Sequence, residues 1–118
     1  MIEKVVLDYL ATEIDVPVMM EAPEVPSDDY PEVPERFVVI EKVGASKSNC
    51  ATTASLAIQS YAESMYEAAV LDELVRKKMD NIIILDAVAG VRMTSNYNHT
   101  DPRTKQYRYQ CVYDLYFV

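Results

Sequence analysis

His99 and Asp101 are the residues whose types and spacing come nearest to proton-transfer chemistry. The chain's single histidine stands two positions before a carboxylate in the polar run NYNHTD. A general base also needs an orienting partner and a nucleophile, and a metal needs three or four ligands. Neither set can be assembled: there is no second histidine, and Cys50 and Cys111 stand elsewhere in the pattern. His99 therefore reads as a histidine in a surface loop. The two cysteines fit no metal spacing and read as reduced thiols, Cys111 half-buried on a strand; the sequence leaves a disulfide between them open. Asp28 and Asp29 offer carboxylates without the spacing of a calcium loop and are expected to stay solvated. In GASKS, Lys47 and Ser48 follow Gly44, but a phosphate-binding loop needs glycine directly before the lysine, where Ser46 stands. No enzyme activity, cofactor or metal is expected.

Composition narrows the classes further. At 118 residues, half of them hydrophobic and a quarter charged, the chain has the balance of one globular domain, residues 1–118. No apolar run approaches the roughly 20 residues that cross a bilayer, so no membrane partner is expected. The start, MIEKVVLDYL, sets acids inside its apolar stretch and has no small-residue cleavage site. It is not expected to be a signal peptide, and synthesis in the cytoplasm is the default. The net charge of −8 is unevenly spread: residues 1–35 carry ten acids against Lys4 alone, the remainder nine acids against ten bases. Such a chain should not grip nucleic acid, which is held by lysine and arginine on phosphates. An acidic segment suits solubility or a basic protein partner.

Several elements follow from periodicity. Residues 2–14 read as an amphipathic helix on Ile2, Val5, Val6, Tyr9, Leu10 and Ile14, ended before Pro17, with a short extended piece at 16–20. Prolines 23, 26, 31 and 34 make 21–35 an acidic arm or loop of extended backbone. Its PxxP spacings lack the basic anchor of a groove-binding ligand. Residues 36–43 read as a strand ending at Gly44, followed by a polar turn at 45–49 and a second strand over 50–61. Residues 63–80 form the strongest helix, with Ala68, Leu71, Leu74, Val75 and Met79 along one side. The last quarter is two alternating runs joined around Asp101-Pro102. In the second run Tyr107, Tyr109, Cys111, Tyr113, Leu115 and Phe117 share one parity; Gln106, Arg108, Gln110 and Asp114 share the other. Pairing Tyr97 with Tyr107 would set Met93 against Cys111, Val91 against Tyr113, and Asn96 with Arg108 on the polar side. Tyr9, Tyr107 and Tyr113 read as core.

The order α-β-β-β-α-β-β predicts an α+β fold. In it, an antiparallel or mixed β-sheet of four to five strands carries two helices on one face. An exposed strand face bearing Gln, Asn and Arg beside tyrosines suits protein contact better than catalysis. The expected interface residues are Asp28, Asp29 and Tyr30 in the arm, and Tyr97, Asn98, Asp101, Arg103, Lys105 and Arg108 in the hairpin.

With those residues laid out, the chain resembles the tail terminator (tail completion, or tail-to-head joining) proteins of long-tailed bacteriophages. Three stretches carry the likeness. They are the N-terminal helix with VPVMMEAPEVP and RFVVIEKVG, the strand LAIQSYAES running into the next helix, and SNYNHTDPRTKQYRYQCVYDLYF with its NYN…D…YRYQ order. Together they span nearly the whole chain. The resemblance implies a virion structural protein that assembles as a hexameric ring on the head-proximal end of the tail tube. There it ends tube polymerisation and joins tail to head. Implied partners are further copies of the chain, the tail tube protein, and a head connector or neck protein. DNA would pass through the lumen unread, and assembly would take place in the host cytoplasm. The alternatives are another phage neck component (a head-completion or connector protein), a small enzyme using His99 and Asp101, and an acidic cytoplasmic adaptor working through the proline arm.

Overall fold

The structure, a computed structural model, describes residues 1–23, 34–48, 51–103 and 106–117. Helix α1 spans Ile2–Glu13, and its buried Ile2, Val6 and Leu10 recur every four residues, one stripe down one side. The stripe continues into buried Ile14, where the backbone turns extended. Strand β1 is only Val18–Met19; it runs parallel to β2, with Val18 opposite Val38. β2 (Phe37–Ser48) and β3 (Ala51–Ala62) pair antiparallel from Phe37 opposite Tyr61 to Ser48 opposite Ala51. Helix α2 (Met65–Asp80) opens on Ser64, whose hydroxyl accepts from the Glu67 amide at 3.1 Å. That bond satisfies one of the donors every helix start leaves free. A 3-10 turn, Ile82–Ile84, leads to β4 (Gly90–Asn98) and β5 (Tyr107–Phe117).

The sheet order is β1-β2-β3-β5-β4, mixed only at β1, and both helices pack on the same face. This is the expected α+β architecture, with five strands. One core joins the two layers. Val6 and Leu10 of α1 and Val75 and Met79 of α2 meet Ile40, Leu56, Ile58, Cys111, Tyr113 and Leu115 from the sheet. A smaller cluster of Phe37, Val39 and Tyr61 lies on the opposite face. Tyr9 fastens the helices together, its hydroxyl donating to the Lys78 carbonyl at 2.7 Å.

Four expectations are corrected. β2 does not stop at Gly44 but continues to Ser48, because a bulge between Lys42 and Gly44 absorbs one residue and pairing resumes at Gly44 opposite Ser55. Leu74 is exposed, lying off the buried line of Ala68, Leu71, Val75 and Met79. Of the three tyrosines read as core, only Tyr113 is fully buried; Tyr9 and Tyr107 are half-covered.

The fourth correction concerns the terminal hairpin. A bulge at Thr94, between Met93 and Ser95, shifts the register so that Asn96 faces Cys111 and Tyr97 faces Gln110. Met93 then sits opposite Tyr113 and Val91 opposite Leu115. One extra residue reverses the side-chain parity of everything beyond it. Asn96 turns to the helix face and Tyr97 to the helix-free face.

The proline arm over 24–33, with Asp28, Asp29 and Tyr30, lies outside the described residues, as do Cys50 and Lys105.

Candidate interaction surface

The helix-free face of the sheet carries a hydrogen-bonded array that crosses three strands. Antiparallel pairing sets Tyr61 opposite Arg108 and Gln59 opposite Gln110, and the bulge brings Tyr97 opposite Gln110 from the other side. Such cross-strand neighbours stand close enough to bond. Arg108 Nη1 donates to the Tyr61 hydroxyl at 2.7 Å, and that hydroxyl donates to Gln59 Oε1 at 3.1 Å. Gln59 Nε2 donates to Gln110 Oε1 at 2.8 Å, and Gln110 Nε2 donates to the Tyr97 hydroxyl. Every bond points the same way, and bonds so chained polarise one another. The series ends on the Tyr97 hydroxyl, whose own proton it does not use, in a residue 42% exposed. Below Tyr61 lies the Phe37 ring, stacked at 4.4 Å, and the Arg108 guanidinium sits 5.5 Å from the Tyr61 centroid. Further along the face, Ser55 donates to Asp114, which Arg92 approaches at 3.5 Å.

The hairpin tip is shaped by its own polar side chains. Asn98 Oδ1 accepts from the Thr100 amide at 3.0 Å, and Asp101 Oδ1 from the Arg103 amide at 2.9 Å. Both are side chains bonding two residues ahead, a local motif that stabilises turns. Arg108 Nε donates to the His99 carbonyl at 2.7 Å, and the His99 amide donates to the Arg108 carbonyl at 2.9 Å. Thr100 ties the tip to the start of α2, its hydroxyl 3.6 Å from Met65 Sδ. The His99 ring packs edge-on against Tyr97 at 5.6 Å.

The structure thus places Tyr97, Asn98, Asp101, Arg103 and Arg108 on one hairpin but in different roles. Arg108, Asn98 and Asp101 hold its shape. Tyr97 and Arg103 face outward, and the Arg103 side chain is 90% exposed with its Nε 3.8 Å from Asp101.

A buried polar cluster escaped sequence reasoning. Asp72 on α2 is 1% exposed, and its carboxylate accepts from Arg76 Nε at 2.9 Å and from Asn96 Nδ2 at 3.0 and 3.1 Å. Its signal was legible: Asp72 falls four residues after Ala68, on the apolar line of the helix. Beside it Cys111, expected to be half-buried, is fully buried under the helix layer. Burial, reinforced by the Asp72 charge, pushes its thiol far above the ordinary value. A thiol kept protonated is a poor nucleophile.

Two concavities lie among the described residues. A pocket of about 190 Å³ is lined by Phe37, Tyr61, Tyr107 and the Glu35 and Glu63 carboxylates. Arg36, bonded to Glu63 at 2.6–3.1 Å, holds that carboxyl below its usual range. A groove of about 480 Å³ runs between α1 and the 3-10 turn, walled by Val5, Tyr9, Ile84 and Leu85 and rimmed by Asp8 and Glu13. Neither is lined by His99 or Asp101. Among the described residues no three His, Cys, Asp or Glu side chains converge as metal ligands, and no helix is long and apolar enough to cross a membrane.

These features define an α+β sandwich with a hydrogen-bonded sheet face, a shaped hairpin and an apolar groove in its helix layer. No protein-family model matches the chain, and no curated protein matches it in sequence.

Proposed function

We propose that this chain is a virion structural protein of a long-tailed bacteriophage: a tail terminator that caps the head-proximal end of the tail tube as a ring. The ring stops tube growth and offers the surface on which the filled head docks. The observation that carries the reading is the stretch SNYNHTDPRTKQYRYQCVYDLYF, whose likeness to that family extends in order through the strands and helices before it. A sheet face on which half-covered Gln59 and Arg108 and exposed Tyr97 continue a buried Tyr61–Gln110 array supports it, tyrosine and arginine being residue types suited to protein contact. The ring is made of copies of this chain, six in the reading adopted here. Its axial partners are the tail tube protein below and a head connector or neck protein above. DNA passes through the lumen without being read, and an acidic wall would let it slide by like-charge repulsion.

The test is a phage in which this chain is removed, imaged by negative-stain electron microscopy. Tails of irregular excess length, unattached to DNA-filled heads, are the expected result. Particles with tails of normal length joined to packaged heads would overturn the proposal.

A further inference from the structure

We infer that the groove between α1 and the 3-10 turn receives the β4–β5 hairpin tip of a second copy of this chain. Arg103 of that copy reaches the Asp8 and Glu13 carboxylates, and its Pro102 covers the apolar wall at Tyr9 and Ile84. The inference deepens the ring reading and rests on it.

The groove has the character of an unfilled contact. Ile84 is 72% exposed at its mouth and Ile83 beside it 53%, and clustered large apolar side chains left in water mark interaction sites. Among the described residues the rim acids are paired with lysines at the surface, exposed Lys4 on Asp8 at 2.8 Å and half-buried Lys78 on Glu13 at a long 3.7 Å. Ion pairs in water hold weakly, so an arriving cation competes with them readily. The hairpin tip has the complementary character. Pro102 and Arg103 are exposed, and the guanidinium stands 3.8 Å from Asp101, a long approach. A proline ring on Tyr9 with an arginine stem along Ile84 would bury apolar surface while the charged head stays at the rim.

Distance decides that the contact is between copies. The tip touches Met65 at the start of α2, whereas the groove adjoins Lys78, in its last turn, through Tyr9. Those points lie about 20 Å apart along the helix at roughly 1.5 Å per residue. A hairpin braced on Met65 does not reach its own groove. Tip and groove are different surfaces, so the contact is heterologous, and such contacts close into rings when the rotation allows.

Another exposed apolar stripe, Tyr66, Val70 and Leu74 on α2, is the poorer occupant. Glu73 lies beside it and Lys77 one turn on, and Arg36 already approaches Glu67 at 3.4 Å, so its charge is mixed where the hairpin tip offers an exposed arginine.

The experiment is sedimentation equilibrium of the full chain across a concentration series. The variants are Arg103→Glu, Glu13→Lys, the two combined, and Ile84→Ser. All three positions are exposed, so folding should survive, and circular dichroism checks it. Each charge reversal should raise the dissociation constant on the order of tenfold. Combining them should restore association, because the two signs are exchanged together, and Ile84→Ser should weaken it without regard to charge. An oligomer indifferent to the single variants, or a double variant no better than either, overturns this contact and leaves the ring reading standing. A wild-type chain that stays monomeric throughout also overturns it. Failure of the ring reading itself would show separately, as normal tails on particles lacking the chain.

Discussion

Asp72 is the residue on which the hairpin's attachment to the helix layer turns. Its buried carboxylate has two partners, Arg76 on its own helix and Asn96 on the edge strand. Removing it leaves the half-buried Arg76 guanidinium without its carboxylate and the Asn96 amide with only the Gln110 carbonyl at 3.2 Å, so Asp72→Ala should cost about 2–3 kcal/mol. Asp72→Asn, which keeps an oxygen acceptor, should cost less. Urea midpoints measure both, and an unchanged midpoint for the alanine variant would remove the cluster from the fold's support. Cys111 makes a second residue-scale statement, about pH. The folded protein holds the thiol proton beyond the point, near pH 9.0, where the ordinary group releases it. Below that pH both states are protonated and the contribution is intact. Above it the unfolded chain loses its proton first, so stability falls, by up to about 1.4 kcal/mol per pH unit from one thiol. Buried Tyr113 acts in the same sense. Replacing Cys111 by alanine should flatten the decline of stability between pH 9 and 11, followed by chemical denaturation; an unchanged slope would refute the assignment.

At the scale of elements, what was legible in the sequence was periodic, and what was missed came from single residues that interrupt the period. The periodicity predicts a helix over 2–14, and α1 spans Ile2–Glu13, because a four-residue apolar repeat is hard to mistake. The parity of β5 was equally clear, and Cys111, Tyr113 and Leu115 are buried as that parity requires, but Gln110 of the polar parity is buried too, bonded into the array of the opposite face. The two bulges were missed. Gly44 in KVG marks a bulge as readily as a strand end, and nothing in MTS signals an extra residue, since a bulge is fixed by what the shifted strand meets across the sheet. For β4 that is Asp72 on one face and Gln110 on the other. Deleting Thr94 should therefore do more damage than shortening a strand would suggest. Asn96 would turn away from Asp72, and Tyr97 would swing toward the helices. A drop in melting temperature larger than that of Thr94→Ala is expected; equal effects would mean that the bulge carries no structural weight.

For the whole molecule, charge is distributed so that unlike surfaces exist on one chain. The acid excess belongs to residues 1–35, and the groove rimmed by Asp8 and Glu13 is part of it. The cationic end is the hairpin tip. If copies associate through those ends, raising the salt from about 0.05 to about 0.5 M should weaken self-association, because exposed charges are screened over a few ångströms at high ionic strength. An association constant that holds steady across that range would leave apolar contact as the sole adhesive. The sequence disclosed this asymmetry and the exposed arginine. It did not disclose the groove, which exists only where the 3-10 turn after α2 comes to rest beside α1.

The reversal at Thr94 has a consequence for anyone who varies β4. Gly90 to Met93 and Ser95 to Asn98 obey opposite rules of tolerance, as though two short ribbons had been spliced out of step. A saturation library scored by solubility would show acceptance of polar substitutions alternating along the first half, then the same beat one step late in the second. Any scheme that treats the strand as a single rhythm would misplace half of its changes.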